Sequence, residues 1–188
     1  MFYDLASSSW GTEETDAMLR VITSGFFTMG DNVKTFEDQF AKYMGLEHAV
    51  MVNSGSSANL AAVAAFFYKK DRPLKRGDEV IVPAISWSTT YHPLQQYGLK
   101  LRFVDVELDT LNVDVSKLEE ALTRNTRLSV GVSRPGNQAG PDVIRAFADA
   151  QHPCLQEENR APTVAASSRR KARPSPHLPS FRFIPSPP

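Results

Sequence analysis

Hydrophobic residues recur at helical spacing in two segments near the start of the chain. The first segment covers residues 12–24 and stops at Gly25; the second covers about 32–44 and stops at Gly45. Acidic residues precede the apolar stripe of the first segment, as is common in the first turn of a helix. The pattern therefore predicts two amphipathic helices, each ended by a glycine.

Short apolar runs alternate with helical stretches from residue 48 onward. Strands are predicted at 48–52, 79–83, 101–106 and 127–132. Helices are predicted between them at 57–70, at 86–98 with an interruption at Pro93, and from either Asp114 or Ser116 through Leu122. This alternation favours an α/β fold with a mostly parallel sheet and helices on both faces. In such sheets, ligands bind beyond the carboxyl ends of the strands.

The stretch "MVNSGSSANLAAVAAF" (51–66) combines a strand end, a small polar turn and the start of a helix. Either Ser56 or Ser57 is expected to cap this helix. The free N–H groups of a helix start attract anions, and Gly55 allows close approach, so the stretch is a candidate phosphate site. A capped helix without a ligand is the alternative. Neither the P-loop pattern nor the dinucleotide-binding pattern is present.

Composition excludes several other classes of protein. Lys plus Arg and Asp plus Glu both total 21, and the one cysteine, Cys154, permits no internal disulfide. The histidines lack metal-ligand spacing, and an acidic stretch at 105–120 has Thr110 where a calcium loop needs glycine. We therefore predict no metal site. The N-terminus does not resemble a signal peptide, and no apolar run is long enough for a membrane span, so a cytoplasmic protein is expected.

The composition changes after residue 130. Residues 131–188 contain 10 of the 13 prolines, and no Asp or Glu follows Glu158. We predict a folded domain over 1–130, a degraded continuation over 131–160, and a disordered Pro/Arg-rich tail over 161–188. This tail is also what a shifted reading frame or a gene remnant would produce. A nucleic-acid or membrane-surface arm is a less favoured interpretation, so neither partner is predicted.

Two long stretches resemble one known family: "SGFFTMGDNVKTFEDQFAKYMGLEHAVMVNSGSSANLAAVAAF" and "GDEVIVPAISWSTTYHPLQQYGLKLRFVDVELDTLNVDVSKLEEALTRNTR". They resemble the DegT/StrS-type sugar aminotransferases, which are fold-type I pyridoxal-phosphate enzymes acting on nucleotide-linked keto-sugars. The sequence of these stretches is most similar to the branch that removes the 3-hydroxyl of 4-keto-6-deoxyhexoses in lipopolysaccharide sugar synthesis. The resemblance implies a truncated N-terminal part of the aminotransferase large domain, and a homodimer in the intact family.

The resemblance also implies roles for individual residues. Gly55, Ser56 and Ser57 would hold the phosphate of pyridoxal phosphate or pyridoxamine phosphate. Trp87 would stack on the pyridine ring, although a core tryptophan is the alternative. Glu158, in "CLQEEN", would stand where the family has an aspartate that pairs with the pyridine nitrogen.

The resemblance gives no catalytic residue. The family uses a lysine, or a histidine in the dehydrating branch, and Lys171 and His177 lie in the proline-rich end and receive no such role. The expected function is therefore a 3-dehydratase or aminotransferase of nucleotide-linked 4-keto-6-deoxyhexoses, inactive as this chain. A non-catalytic phosphate-binding fragment or a gene remnant is the alternative.

Overall fold

The computed structural model describes residues 10–133, 141–151, 154–159 and 178–181. Contacts divide the chain into two compact units, and the boundary falls between Met51 and Val52. This boundary lies inside the segment 1–130 that the sequence predicted to be one domain. Along the described residues, no helix is long and apolar enough to cross a membrane.

The first unit contains two helices, α1 (Thr12–Ser24) and α2 (Asp31–Met44). Both end where the sequence predicted, because Gly25 and Gly45 adopt the left-handed conformation with φ of 68° and 69°. The N-cap of α1 is Gly11. Its N–H donates to the Glu14 carboxylate at 2.7 Å, and this bond lowers the pKa of Glu14.

The second unit is built on a five-stranded sheet in the order β2-β1-β3-β4-β5, with every neighbouring pair parallel. The strands are β1 (Glu79–Pro83), β2 (Lys100–Val104), β3 (Thr126–Ser133), β4 (Cys154–Asn159) and β5 (Leu178–Phe181). The helices are α3 (Gly55–Phe67), α4 (Ser88–Gln96), α5 (Leu118–Ala121), which follows a 3₁₀ turn at Val115–Lys117, and α6 (Pro141–Gln151). The parallel α/β architecture predicted from the sequence is confirmed.

Helices cover both faces of this sheet, as predicted. On one face, Val63 and Phe66 of α3 and Leu94 of α4 pack with residues of β1 and β3. On the other face, Leu118 of α5 and Ile144 of α6 pack with residues of β1, β2 and β4. The alternating directions of successive strand residues explain the two cores, since neighbours such as Val80 and Ile81 belong to opposite faces.

The predicted strand at 48–52 is wrong. Residues 48–52 have no regular structure, and the Val50 side chain is 79% exposed. A strand is stable only when a neighbour satisfies its backbone N–H and C=O groups. None of the strands in the described ranges pairs with this segment. Its apolar run is therefore a strand sequence without a pairing partner.

The prediction of disorder throughout 161–188 is wrong for residues 178–181, which form β5. The edge of β4 offers backbone groups that need partners, and four residues of the tail satisfy them. Pro179 lacks an N–H group, which is tolerated in an outermost strand. The remainder of 161–188, with Lys171 and His177, lies outside the described residues.

Candidate cofactor-binding site

The start of α3 is capped by Ser54. The Ser54 Oγ accepts a hydrogen bond from the Ser57 N–H at 3.1 Å and donates to the Ser57 Oγ at 3.1 Å. The Ser54 carbonyl accepts the first helical bond, from Ala58 at 2.9 Å. The sequence placed the cap at Ser56 or Ser57, so the helix begins two to three residues earlier than predicted. The correction leaves both of these serines inside the first turn.

The capping bond leaves two backbone donors for a ligand. Within the described part of the chain, the N–H groups of Gly55 and Ser56 make no hydrogen bond, and neither does the Ser56 hydroxyl. Ser56 is exposed, whereas Gly55 and Ser57 are half-buried. Unpaired N–H groups and the helix dipole together attract an anion. The turn therefore has the donors that a phosphate group needs, and phosphate binding at Gly55, Ser56 and Ser57 stays a prediction.

Trp87 stands at the N-cap of a second helix start, that of α4. Its backbone is extended, with φ −84° and ψ 149°, and the residue is 57% exposed. This exposure argues against the alternative of a core tryptophan. The first turn of α4 is fixed by a hydrogen bond of 3.0 Å between the Ser86 and Thr90 hydroxyls, and Thr90 is buried.

A buried amide link joins α3, α4 and β4. The Asn59 Nδ2 of α3 donates to the Thr89 carbonyl of α4 at 3.4 Å. The Gln156 Nε2 of β4 donates to the Asn59 Oδ1 at 3.3 Å. Because Asn59 lies one turn after Gly55 and Thr89 lies two residues after Trp87, this link brings the two helix starts together. The sequence analysis missed it; the available signal was one amide in an otherwise apolar helix.

Glu158 lies at the carboxyl end of β4, one residue before the strand ends. It pairs in register with Val132 of β3 and follows Gln156 by two residues. This is the edge of a parallel sheet where ligands bind. The backbone therefore places Glu158 at the predicted edge, and its pairing with a cofactor remains a prediction. No group of three potential metal ligands occurs among the described residues.

Solved structures of similar shape define the class of protein. A parallel sheet covered by helices on both faces is found in fold-type I pyridoxal-phosphate enzymes, and this fold is part of their large domain. Residues 9–157 match the DegT/DnrJ/EryC1/StrS aminotransferase family. The chain belongs to this family, and the resemblance seen in the sequence is confirmed.

Three relatives show which members the chain is similar to. It is 49% identical over 157 residues to the GDP-4-keto-6-deoxy-D-mannose 3-dehydratase of Yersinia pseudotuberculosis, covering 84% of this chain and 40% of the relative. Identity to the protein of that name from Escherichia coli O55:H7 is 50%, with the same coverage. A lipopolysaccharide biosynthesis protein of Salmonella typhimurium is 35% identical, over 79% of this chain and 34% of that protein.

Structural similarity agrees with these sequence matches. The E. coli GDP-4-keto-6-deoxy-D-mannose-3-dehydratase with bound hydrated PLP has a TM-score of 0.79 at 49% identity, over 85% of this chain and 41% of that one. A GDP-4-keto-6-deoxymannose-3-dehydratase with a trapped PLP-glutamate geminal diamine has a TM-score of 0.78, also at 49% identity, over 83% and 40%. The chain thus spans about 40% of the length of the relatives it matches.

Proposed function

We propose that this chain binds pyridoxal phosphate or pyridoxamine phosphate through the phosphate, at the start of α3. The observation that carries the proposal is the pair of available N–H groups at Gly55 and Ser56. Solved relatives that hold this cofactor share the fold at 49% identity, which supports the assignment. A bound phosphate would accept hydrogen bonds from these two N–H groups and from the hydroxyls of Ser56 and Ser57.

Two further residues would act on the pyridine ring. Trp87 is exposed at the start of α4, where its indole would cover one face of the ring and keep water from it. Glu158 would hold a proton at the pyridine nitrogen, from the carboxyl end of β4. The bound cofactor supplies an electron-withdrawing ring that stabilises negative charge on the substrate. A glutamate is one methylene longer than the family's aspartate, so its approach to the nitrogen would differ.

The chemistry that we propose for the whole enzyme is 3-dehydration of a nucleotide-linked 4-keto-6-deoxyhexose. The names of the relatives support this substrate class, and the Salmonella relative supports a place in lipopolysaccharide sugar synthesis. We also propose a homodimer and a cytoplasmic location, both by analogy with the family. No residue is assigned the role of the family's lysine or histidine. We therefore propose that the 188-residue chain binds the cofactor without turnover.

The binding proposal is tested by a charge placed in the phosphate turn. Ser56→Asp should weaken pyridoxamine phosphate binding at least tenfold in equilibrium dialysis, because a carboxylate repels the phosphate. The same change favours the helix, since a negative charge near its start is stabilising. Thr12→Asp adds an equal charge at the start of α1 and should leave affinity unchanged. Equal affinity of the parent chain and Ser56→Asp would contradict the proposal.

The absence of turnover is tested on the same purified chain. It is incubated with pyridoxamine phosphate, GDP-4-keto-6-deoxymannose and glutamate, and products are followed by mass spectrometry. We expect bound cofactor and no product above the free-cofactor background. Product that depends on the protein would contradict the assignment of a non-catalytic chain. No binding at all would favour the alternative of a gene remnant.

A further inference from the structure

Asn59 is an unusual choice for its position in α3. The residue is 2% exposed, and its neighbours in the helix are mostly alanine and large apolar residues. Asparagine is a poorer helix former than alanine or leucine. A buried amide is also costly unless its polar atoms find partners. Stability of the helix alone would therefore favour an apolar side chain here.

The hydrogen bonds of the Asn59 side chain to other elements explain why an asparagine occupies this position. One amide serves two elements, since its Nδ2 donates to the Thr89 carbonyl at 3.4 Å and its Oδ1 accepts from Gln156 at 3.3 Å. Thr89 belongs to the same turn of α4 as Trp87, and Gln156 fixes the amide to the sheet while itself only 3% exposed. Asn59 therefore ties the turn that begins at Gly55 to the turn that carries Trp87.

We propose that Asn59 is a positioning residue that sets the separation between the phosphate-binding turn and the ring-binding Trp87. This inference rests on the proposed function, in which the phosphate and the ring are two ends of one ligand. When two contacts are held at the right separation, the second forms at a high effective concentration. Loss of the link should therefore weaken binding of the whole ligand, while inorganic phosphate still binds at the start of α3.

The test uses Trp87 as a single reporter. Trp10 is the other tryptophan of the chain, so Trp10→Phe provides the background. Asn59→Leu then removes the hydrogen bonds of the amide to Thr89 and to Gln156 at nearly constant volume. Quenching of Trp87 emission gives the affinity for pyridoxamine phosphate, and equilibrium dialysis gives the affinity for inorganic phosphate. We expect the affinity for pyridoxamine phosphate to fall about five- to tenfold, which is the size of effect typical of one hydrogen bond. The affinity for inorganic phosphate should fall less than twofold.

A matched control separates positioning from damage to the fold. Ser129 is a buried polar residue on the opposite face of the sheet, and its hydroxyl has no hydrogen-bond partner among the described residues. Ser129→Ala should change neither affinity. Equal losses for both ligands in Asn59→Leu would show general damage and overturn the proposal. Unchanged affinity for pyridoxamine phosphate would also overturn it.

Two further measurements distinguish a failure of this inference from a failure of the proposed function. Without ligand, and at a temperature well below the melting transition of the variant, Asn59→Leu should lower the fluorescence anisotropy of Trp87, and an unchanged anisotropy would refute positioning. If the parent chain binds no pyridoxamine phosphate, the proposed function fails, and the anisotropy still decides on Asn59. If Asn59→Leu does not fold, Gln156→Leu replaces it, because this change removes the anchor to the sheet. Gln156→Leu should also lower the affinity for pyridoxamine phosphate and the anisotropy of Trp87. Values equal to those of the parent chain would count against the link.

Discussion

Replacing Ser54 by alanine should destabilise the second unit without weakening its affinity for phosphate. The Ser54 side chain caps α3 by accepting a hydrogen bond from the Ser57 N–H at 3.1 Å. Alanine cannot accept this bond, so one donor of the helix start loses its partner. The N–H groups of Gly55 and Ser56, which we propose as phosphate ligands, are not used by the cap, and they stay available.

The expected magnitude follows from the position of the cap. Replacing a capping serine by alanine lowers the free energy of unfolding by about 1 kcal/mol, within a range of roughly 0.5–2. With a urea slope of about 2 kcal/mol per molar, the unfolding midpoint should fall by about 0.5 M. In saturating phosphate the loss should shrink, because the freed Ser57 N–H can then donate to the ligand, and ligand binding to the folded state adds stability.

The assay is urea unfolding followed by circular dichroism, with and without inorganic phosphate. Ser54→Asp restores a capping oxygen and should recover the lost stability. Ser56→Ala is the matched control, since the exposed Ser56 hydroxyl makes no hydrogen bond with the described residues; its effect should stay within about 0.5 kcal/mol. An unchanged midpoint for Ser54→Ala, or an equal loss for Ser56→Ala, would refute the assignment of the cap.

Phe66→Ala should lower the free energy of unfolding by about 3–5 kcal/mol, because Phe66 is completely buried beneath α3 and leaves a cavity. Tyr68→Ala, two residues away and 86% exposed, should cost less than about 0.5 kcal/mol in the same urea titration. The Ser116 hydroxyl donates to Asp114 at 2.6 Å and lowers the pKa of that carboxyl, so its stabilising effect is present above the unfolded-state pKa of about 3.9 and is lost as the pH falls through the lower folded-state pKa. Asp114→Asn should therefore flatten the loss of stability below about pH 4, and a pH profile identical to that of the parent chain would contradict this.

Local signals in the sequence were sufficient for most helix ends and strands. Gly25 and Gly45 end their helices because a left-handed cap depends on the glycine itself. The strand Glu79–Pro83 was predicted without error, since a short apolar run flanked by a turn carries its own signal. The start of α3 was misplaced by two or three residues, because several neighbouring serines offer equivalent caps and only the backbone path selects Ser54.

Features that depend on distant residues could not be predicted in this way. The run at 48–52 has the composition of a strand, yet strand formation requires a neighbour that the local pattern does not specify. The strand at 178–181 was missed for the same reason, because it forms by pairing with β4, which the local sequence does not specify. The amide link between Asn59 and Gln156 joins residues 97 positions apart, so the local pattern can mark Asn59 as unusual but cannot identify its partner.

These observations distinguish two requirements that a cofactor enzyme must satisfy. Holding a phosphate needs one helix start and its cap, and both are complete between Ser54 and Ala58. Moving a proton at the substrate needs a basic side chain brought to the ring from another part of the fold, and the resemblance assigns that role to no residue of the sequence. The first requirement is local in sequence and the second is not. Of the two properties, affinity for pyridoxamine phosphate is therefore the one that we expect to measure for these 188 residues, which span about 40% of the length of the relatives.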